Sequence, residues 1–247
     1  MFVAASTQCF ADKGFDEACG LLTDLEYDKV EIWLDEKSQH LKPSEVAEDP
    51  ERFFAHYREK TRLTPVALCL EHDVDPSVLE GLTKLCKLMK VTQLTIPASP
   101  IGTPFNEEID RLRRFLEIAN HDGIRLSLKT QIGYLTEDPH TAVELCQSVK
   151  GIGLTLDPSH YICGPHKNVS YDQVYPYVYH VHLRDTTPDQ LQVQIGLGEI
   201  DYSRQIGLLE REDYTRALAV DLDCTQMTAE ERPLEMRKMR MLLETLL

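Results

Sequence analysis

Eight short runs of apolar or alternating residues, FVAAS, KVEIW, PVALCL, VTQLTIP, IRLSLKT, GIGLTLD, HVHLRD and RALAVDLD, are separated by segments of helical period. In PSVLEGLTKLCKLM the leucines 79, 82, 85 and 88 share one helix face, and in EEIDRLRRFLEIAN so do Ile109, Leu112 and Leu116. Strands that alternate with helices must run parallel and be joined by right-handed crossovers. Eight such units in 247 residues fit one α/β domain, a (β/α)8 barrel over residues 1–247, better than a doubly wound sheet. No glycine-rich turn follows the first strand, as a dinucleotide fold would require.

Composition narrows the partners. The net charge of −15 repels polyanions, and no basic patch stands out, so nucleic acid is not an expected ligand. Arg232, Arg237, Lys238 and Arg240 interleave with Glu230, Glu231, Glu235 and Glu244, which predicts one solvated face of an amphipathic helix over 228–247 that packs on the barrel. The seven cysteines form no CxxC pair, which suits a reducing compartment. The first residues lack a basic n-region, and no stretch approaches the ~20 apolar residues of a membrane span. A cytoplasmic protein without a membrane partner is expected.

In a barrel of this kind the chemistry sits at the C-terminal ends of the strands. Strand alternation puts Arg125, Ser127, Lys129 and Gln131 on one face, Thr155 with Asp157, His180 with His182 and Arg184, Asp221 with Asp223, and Glu31 with Trp33. Each has a plain explanation alone: Asp157 before Pro158 suits a helix cap, and an inward histidine usually serves packing. Together, Asp157, His160, His180, His182, Asp221 and Asp223 gather oxygen and imidazole donors suited to Mn²⁺, Mg²⁺, Co²⁺ or Zn²⁺.

The motifs GLTLDPSH, VHVHLRD and QVQIGLGEIDY resemble the sugar isomerase/epimerase superfamily with a xylose isomerase-like TIM barrel, which also contains endonuclease IV. The resemblance covers most of the chain and is densest over 124–223. It implies one metal held by a Glu on strand five, the Asp of DxxH, the second His of HxH and a Glu on strand eight. These positions are here Lys129, Asp157, His182 and Asp221, and the family's Glu-Thr-His after strand five is Lys-Thr-Gln. The resemblance also implies that the two outer carboxylates move a proton next to a carbonyl, with Asp221 the one remaining as base.

Lys129 therefore decides the expected function. Its ammonium can neutralise Asp157 and Asp221 where the ion would otherwise do so. That arrangement makes the barrel a binding or scaffold protein for a sugar-like ligand. In a second reading Lys129 swings aside, Asp157, His182 and Asp221 hold the metal, and isomerase or epimerase activity survives. In a third, Lys129 is itself a base or Schiff-base nucleophile, which nearby carboxylates oppose. An endonuclease IV-like enzyme would need a further His/Glu metal cluster and a basic rim.

The expected ligand is a small sugar or polyol, free or phosphorylated. His160, His180, Arg184, Gln131 and His72 are the candidate substrate-binding residues, with Gln192 or Gln194 as further amides. Arg184 has the alternative of pairing with Asp185 or Asp157 to hold the rim, and GLGEID carries only a turn signal. Whether the chain forms a homo-oligomer is open.

Overall fold

The computed structural model describes residues Met1–Leu247. All eight expected runs are strands: β1 (Phe2–Ser6), β2 (Lys29–Leu34), β3 (Thr64–Leu70), β4 (Gln93–Pro97), β5 (Arg125–Lys129), β6 (Gly153–Leu156), β7 (Val178–Leu183) and β8 (Ala217–Val220). Each pairs in parallel with the next, and β8 closes on β1, so the sheet is a complete barrel. Closure leaves no sheet edge unpaired.

The two faces of every strand have different neighbours. Residues such as Ile32, Leu68, Leu94, Leu128 and Leu154 face the helices and are fully buried in one continuous apolar layer. The inward set is polar, and on one side of the barrel it is held by hydroxyls. Gln93 Nε2 donates to Ser127 Oγ at 2.6 Å, and the Thr155 hydroxyl lies 2.6 Å from that of Ser127 and 2.8 Å from that of Thr95. The three hydroxyls and the Gln93 amide nitrogen are tolerated because each finds a partner, while Gln93 Oε1 has none.

Local signals start the helices. Proline opens Pro50–Lys60, Pro76–Met89, Pro139–Ser148 and Pro158–Cys163, where its missing N–H is not needed. Asp49, Asp138 and Asp157 accept hydrogen bonds from first-turn amides. The last helix begins at Arg232 rather than Thr228, because Thr228 and Glu231 exchange side-chain-to-backbone hydrogen bonds ahead of it. Its charged residues are not all solvated, contrary to the expectation from their interleaving. Arg232 is buried between Asp12 and the Phe10 ring, and buried Glu235 accepts the Ile195 amide at 2.6 Å.

After β7 the chain makes a hairpin, Asp185–Thr187 with Gln190–Val193, at the rim of the barrel. Gln192 fastens it: its amide donates to the Asp223 carbonyl at 3.0 Å and accepts from the Asp223 amide at 2.7 Å. That consumes the amide expected to meet a ligand. The following GLG turn wraps the Asp185 carboxylate, which accepts from the Gly196 and Gly198 amides at 2.8 and 3.0 Å. Glycine is required there, since Gly196 has φ +93° and a Cβ on Gly198 would strike Asp185.

Candidate functional site

Lys129 is the last residue of β5, and its side chain enters the mouth with only 3% of its surface exposed. Its Nζ lies 3.7 Å from both Asp221 Oδ2 and Glu71 Oε2. Glu71 follows β3 directly and accepts from Trp33 Nε1 at 3.1 Å. Burial alone would lower the Lys129 pKa, but Glu71 and Asp221 more than offset it and hold the ammonium charged.

Arg184, just beyond β7, is the second cation. Its Nη2 donates to Asp221 Oδ2 at 3.0 Å and stands 2.9 Å from Asp157 Oδ2, so one guanidinium nitrogen bridges two fully buried acids. Asp185, the other expected partner of Arg184, is turned away into the GLG loop. Asp157 also caps its helix through Oδ1, which accepts the Ser159 amide at 3.0 Å and the Ser159 hydroxyl. Burial would raise the Asp157 pKa, yet Arg184 and His160 keep it below the usual carboxylate value.

Asp221 is the hub. Lys129, Arg184 and His182 surround it, and the Gln8 amide donates to it at 2.7 Å. Against the effect of burial, His182, Lys129 and Arg184 drive its pKa well down. His182 stands between two acids, with Nδ1 3.2 Å from Asp221 Oδ2 and Nε2 2.8 Å from Glu31 Oε2. Burial favours a neutral ring, but Glu31 and Asp221 outweigh it and raise the pKa to about 9. His180 reaches the same Glu31 oxygen at 2.7 Å.

His160 differs from these. Its Nδ1 accepts the Ile132 amide at 3.3 Å, which leaves the proton on Nε2, 3.6 Å from Asp157 Oδ2. Burial dominates and lowers its pKa to about 4, so the ring is neutral near pH 7. His72 sits at the rim with its side chain 37% exposed and pairs with Asp35 Oδ1 at 2.9 Å. Gln131 is half-buried on the loop after β5, and its Oε1 has no hydrogen-bond partner.

The fold thus joins Lys129, Asp157, His160, His182, Arg184 and Asp221 in one network, links His180 to it through Glu31, and sets His72 and Gln131 at its margin. Glu71 and Gln8 were missed from the sequence. The EH pair ending PVALCLEH was the available signal for Glu71, a carboxylate at a strand's C-terminal end; nothing marked Gln8.

The ligand set implied for a metal at this mouth does not fit one in this arrangement. An ammonium offers no lone pair at position 129, Asp157 and Asp221 already share Arg184, and His182 turns Nε2 toward Glu31. A divalent ion there would have to displace two positive charges held by the same acids.

A family model described as xylose isomerase-like TIM barrel matches residues 20–244. Among solved structures, a xylose isomerase domain protein from Alicyclobacillus acidocaldarius superposes with a TM-score of 0.77 at 16% identity, covering 100% of this chain and 98% of its own. The IOLI protein, whose structure contains a bound zinc atom, gives 0.73 at 18% identity with 100% and 99% coverage. A D-allulose 3-epimerase from Methylomonas sp., in complex with D-allulose, gives 0.73 at 14% identity with 99% and 96% coverage. No curated protein matches the chain in sequence. The eight-stranded closure, the polar mouth and the match across 20–244 agree: the chain belongs to the xylose isomerase-like TIM barrel family.

Proposed function

We propose that this chain binds a sugar or polyol at its barrel mouth and that Arg184 and Lys129 supply there the positive charge that a divalent ion would otherwise bring. The observation carrying this reading is the bridge of Arg184 between Asp157 and Asp221, with Lys129 3.7 Å from Asp221. A polyhydroxylated ligand suits the margin of the network, where Glu71 is 21% and His72 37% exposed in their side chains and Gln131 has an amide oxygen free. The sugar complex of the D-allulose 3-epimerase supports the ligand class.

Proton transfer next to a carbonyl is the competing function, with Asp221 as base and Asp157 and His182 as metal ligands. The electrostatics disfavour it. A carboxylate held by a lysine, an arginine and a histidine has a pKa well below the usual value, and a base so weakened takes a carbon-bound proton poorly. Asp221 therefore serves as an anchor for cations, and Lys129 as a fixed charge rather than a nucleophile.

The test is calorimetric titration with ketoses, aldoses, polyols and their phosphates, with and without millimolar Mn²⁺, alongside proton NMR in D2O to follow exchange next to the carbonyl. Saturable binding that Mn²⁺ leaves unchanged, with no exchange, is the expected result. Mn²⁺-dependent exchange would restore the isomerase reading, and failure to bind any of these compounds would remove the binding one. The Lys129→Glu variant separates the two cations: uptake of one Mn²⁺ per chain would assign exclusion of the ion to Lys129 alone, and no uptake would assign it to the Arg184 bridge as well.

A further inference from the structure

One layer below the mouth, on β2, β3 and β7, Glu31, Cys69 and His182 bring their ligand atoms within 4.8 Å of one another. All three are fully buried. Glu31 Oε1 has no hydrogen-bond partner, an unusual state for a carboxylate oxygen inside a barrel. The Cys69 thiol has only the carbonyl of its own neighbour Leu70, at 4.0 Å. The mouth network uses Glu31 Oε2, against His180 and His182, but gives no role to Glu31 Oε1 or to the Cys69 thiol.

We propose that Glu31, Cys69 and His182 Nε2 form a binding site for a zinc ion that shares His182 with the mouth network and does not depend on whether the mouth binds a sugar. One oxygen, one thiolate sulfur and one imidazole nitrogen make a donor set typical of Zn²⁺, whereas the sulfur disfavours Mg²⁺ and Mn²⁺. The surroundings are those of an ordered ligand shell. Asp221 Oδ2 lies 3.2 Å from His182 Nδ1, close to where a carboxylate commonly sits behind a zinc-bound imidazole, though without a formed hydrogen bond. His180 Nε2 stands 2.7 Å from Glu31 Oε2 on the same side of the carboxylate.

With three protein donors the shell lacks one ligand of a closed tetrahedron, which solvent completes. Metal binding requires the Cys69 sulfur as thiolate and a lone pair on His182 Nε2, so uptake of the ion releases protons. The burial of all three donors marks a site loaded during folding and acting on stability.

The experiment measures metal content and spectrum. Protein refolded with one equivalent of Zn²⁺, or of Co²⁺, and then desalted is expected to retain one ion per chain. The Co²⁺ form should show a thiolate-to-metal charge-transfer band in the near ultraviolet. Cys69→Ser should lose that band, and the double variant Cys163→Ser/Cys224→Ser, which removes the partly exposed thiols, should keep it. Should Cys69→Ser fail to fold, the wild type and the double variant still decide. Absence of retained metal, a retained Co²⁺ without the band, or loss of the band in the double variant would each overturn the proposal.

Discussion

Replacing Lys129 by methionine removes one charge from the mouth while keeping most of the side-chain volume. The lysine lies 3.7 Å from each of two carboxylates, which at an effective dielectric constant of about 20 is a gross attraction of about 4 kcal/mol per pair. The desolvation of the ammonium offsets several kcal/mol of that sum. Arg184 and His182 remain on Asp221 in the variant, and Glu71 can draw on water through its exposed fifth. Breaking a buried pair from one side typically costs ~3–5 kcal/mol, and these compensations place Lys129→Met near the lower bound, about 3 kcal/mol. For a chain of this size that lowers the melting temperature by about 6–12 °C.

Urea unfolding followed by the fluorescence of Trp33, the single tryptophan, measures the loss. The pH dependence checks the cause. The Lys129 pKa is raised above 10.5, so its contribution is full below pH 10.5 and fades as pH rises further. Asp221 is shifted below 3.8, so its part is present above pH 3.8 and fades as pH falls below it. The gap between wild type and variant should therefore be level between these limits and close outside them. A variant as stable as the wild type at pH 7 would refute the assignment of Lys129 as the neutralising charge.

Arg184→Met should destabilise more than Lys129→Met, by about 4–5 kcal/mol in the same assay, because it leaves both Asp157 and Asp221 buried without their shared cation. His160 is depressed from 6.5 to about 4, chiefly by burial, so the stability it confers is full above pH 6.5 and lost as pH falls toward 4, by about 3 kcal/mol in all. His160→Gln should remove that slope from the urea midpoints, and parallel curves for the two proteins would contradict it. In the native protein a thiol reagent should modify Cys163 and Cys224 quickly and the five buried cysteines only after denaturation, a difference read directly by absorbance.

The barrel was legible because its signal is local and repeated. Strand runs such as IRLSLKT and GIGLTLD carry their own periodicity, and alternation alone places Lys129, Thr155, Asp157, His180 and His182 on the inner face. Pairings across the mouth were less legible, because they depend on side-chain reach and strand register. Arg184 touching both Asp157 and Asp221 is a contact among three strand ends, of which sequence reasoning named only the Asp157 half. Glu31 was recognisable as inward, but the register irregularity between Val30 and Glu31, which sets the strand's alignment with β3, has no mark in KVEIW. Arg232 and Glu235 misled because charged residues at helical spacing look solvated unless a buried partner such as Asp12 or the Ile195 amide is known.

The two hydrogen bonds from Gln192 to the backbone of Asp223 have a consequence for traffic. They tie the hairpin to the chain leaving β8 as one strand is tied to another, which pins that part of the rim. Glu71 and His72, with side chains 21% and 37% exposed, stand open at the mouth to an incoming small molecule. Selection among incoming molecules would fall to those two side chains, and altering them should change which compounds are admitted while the charges beneath stay as they are.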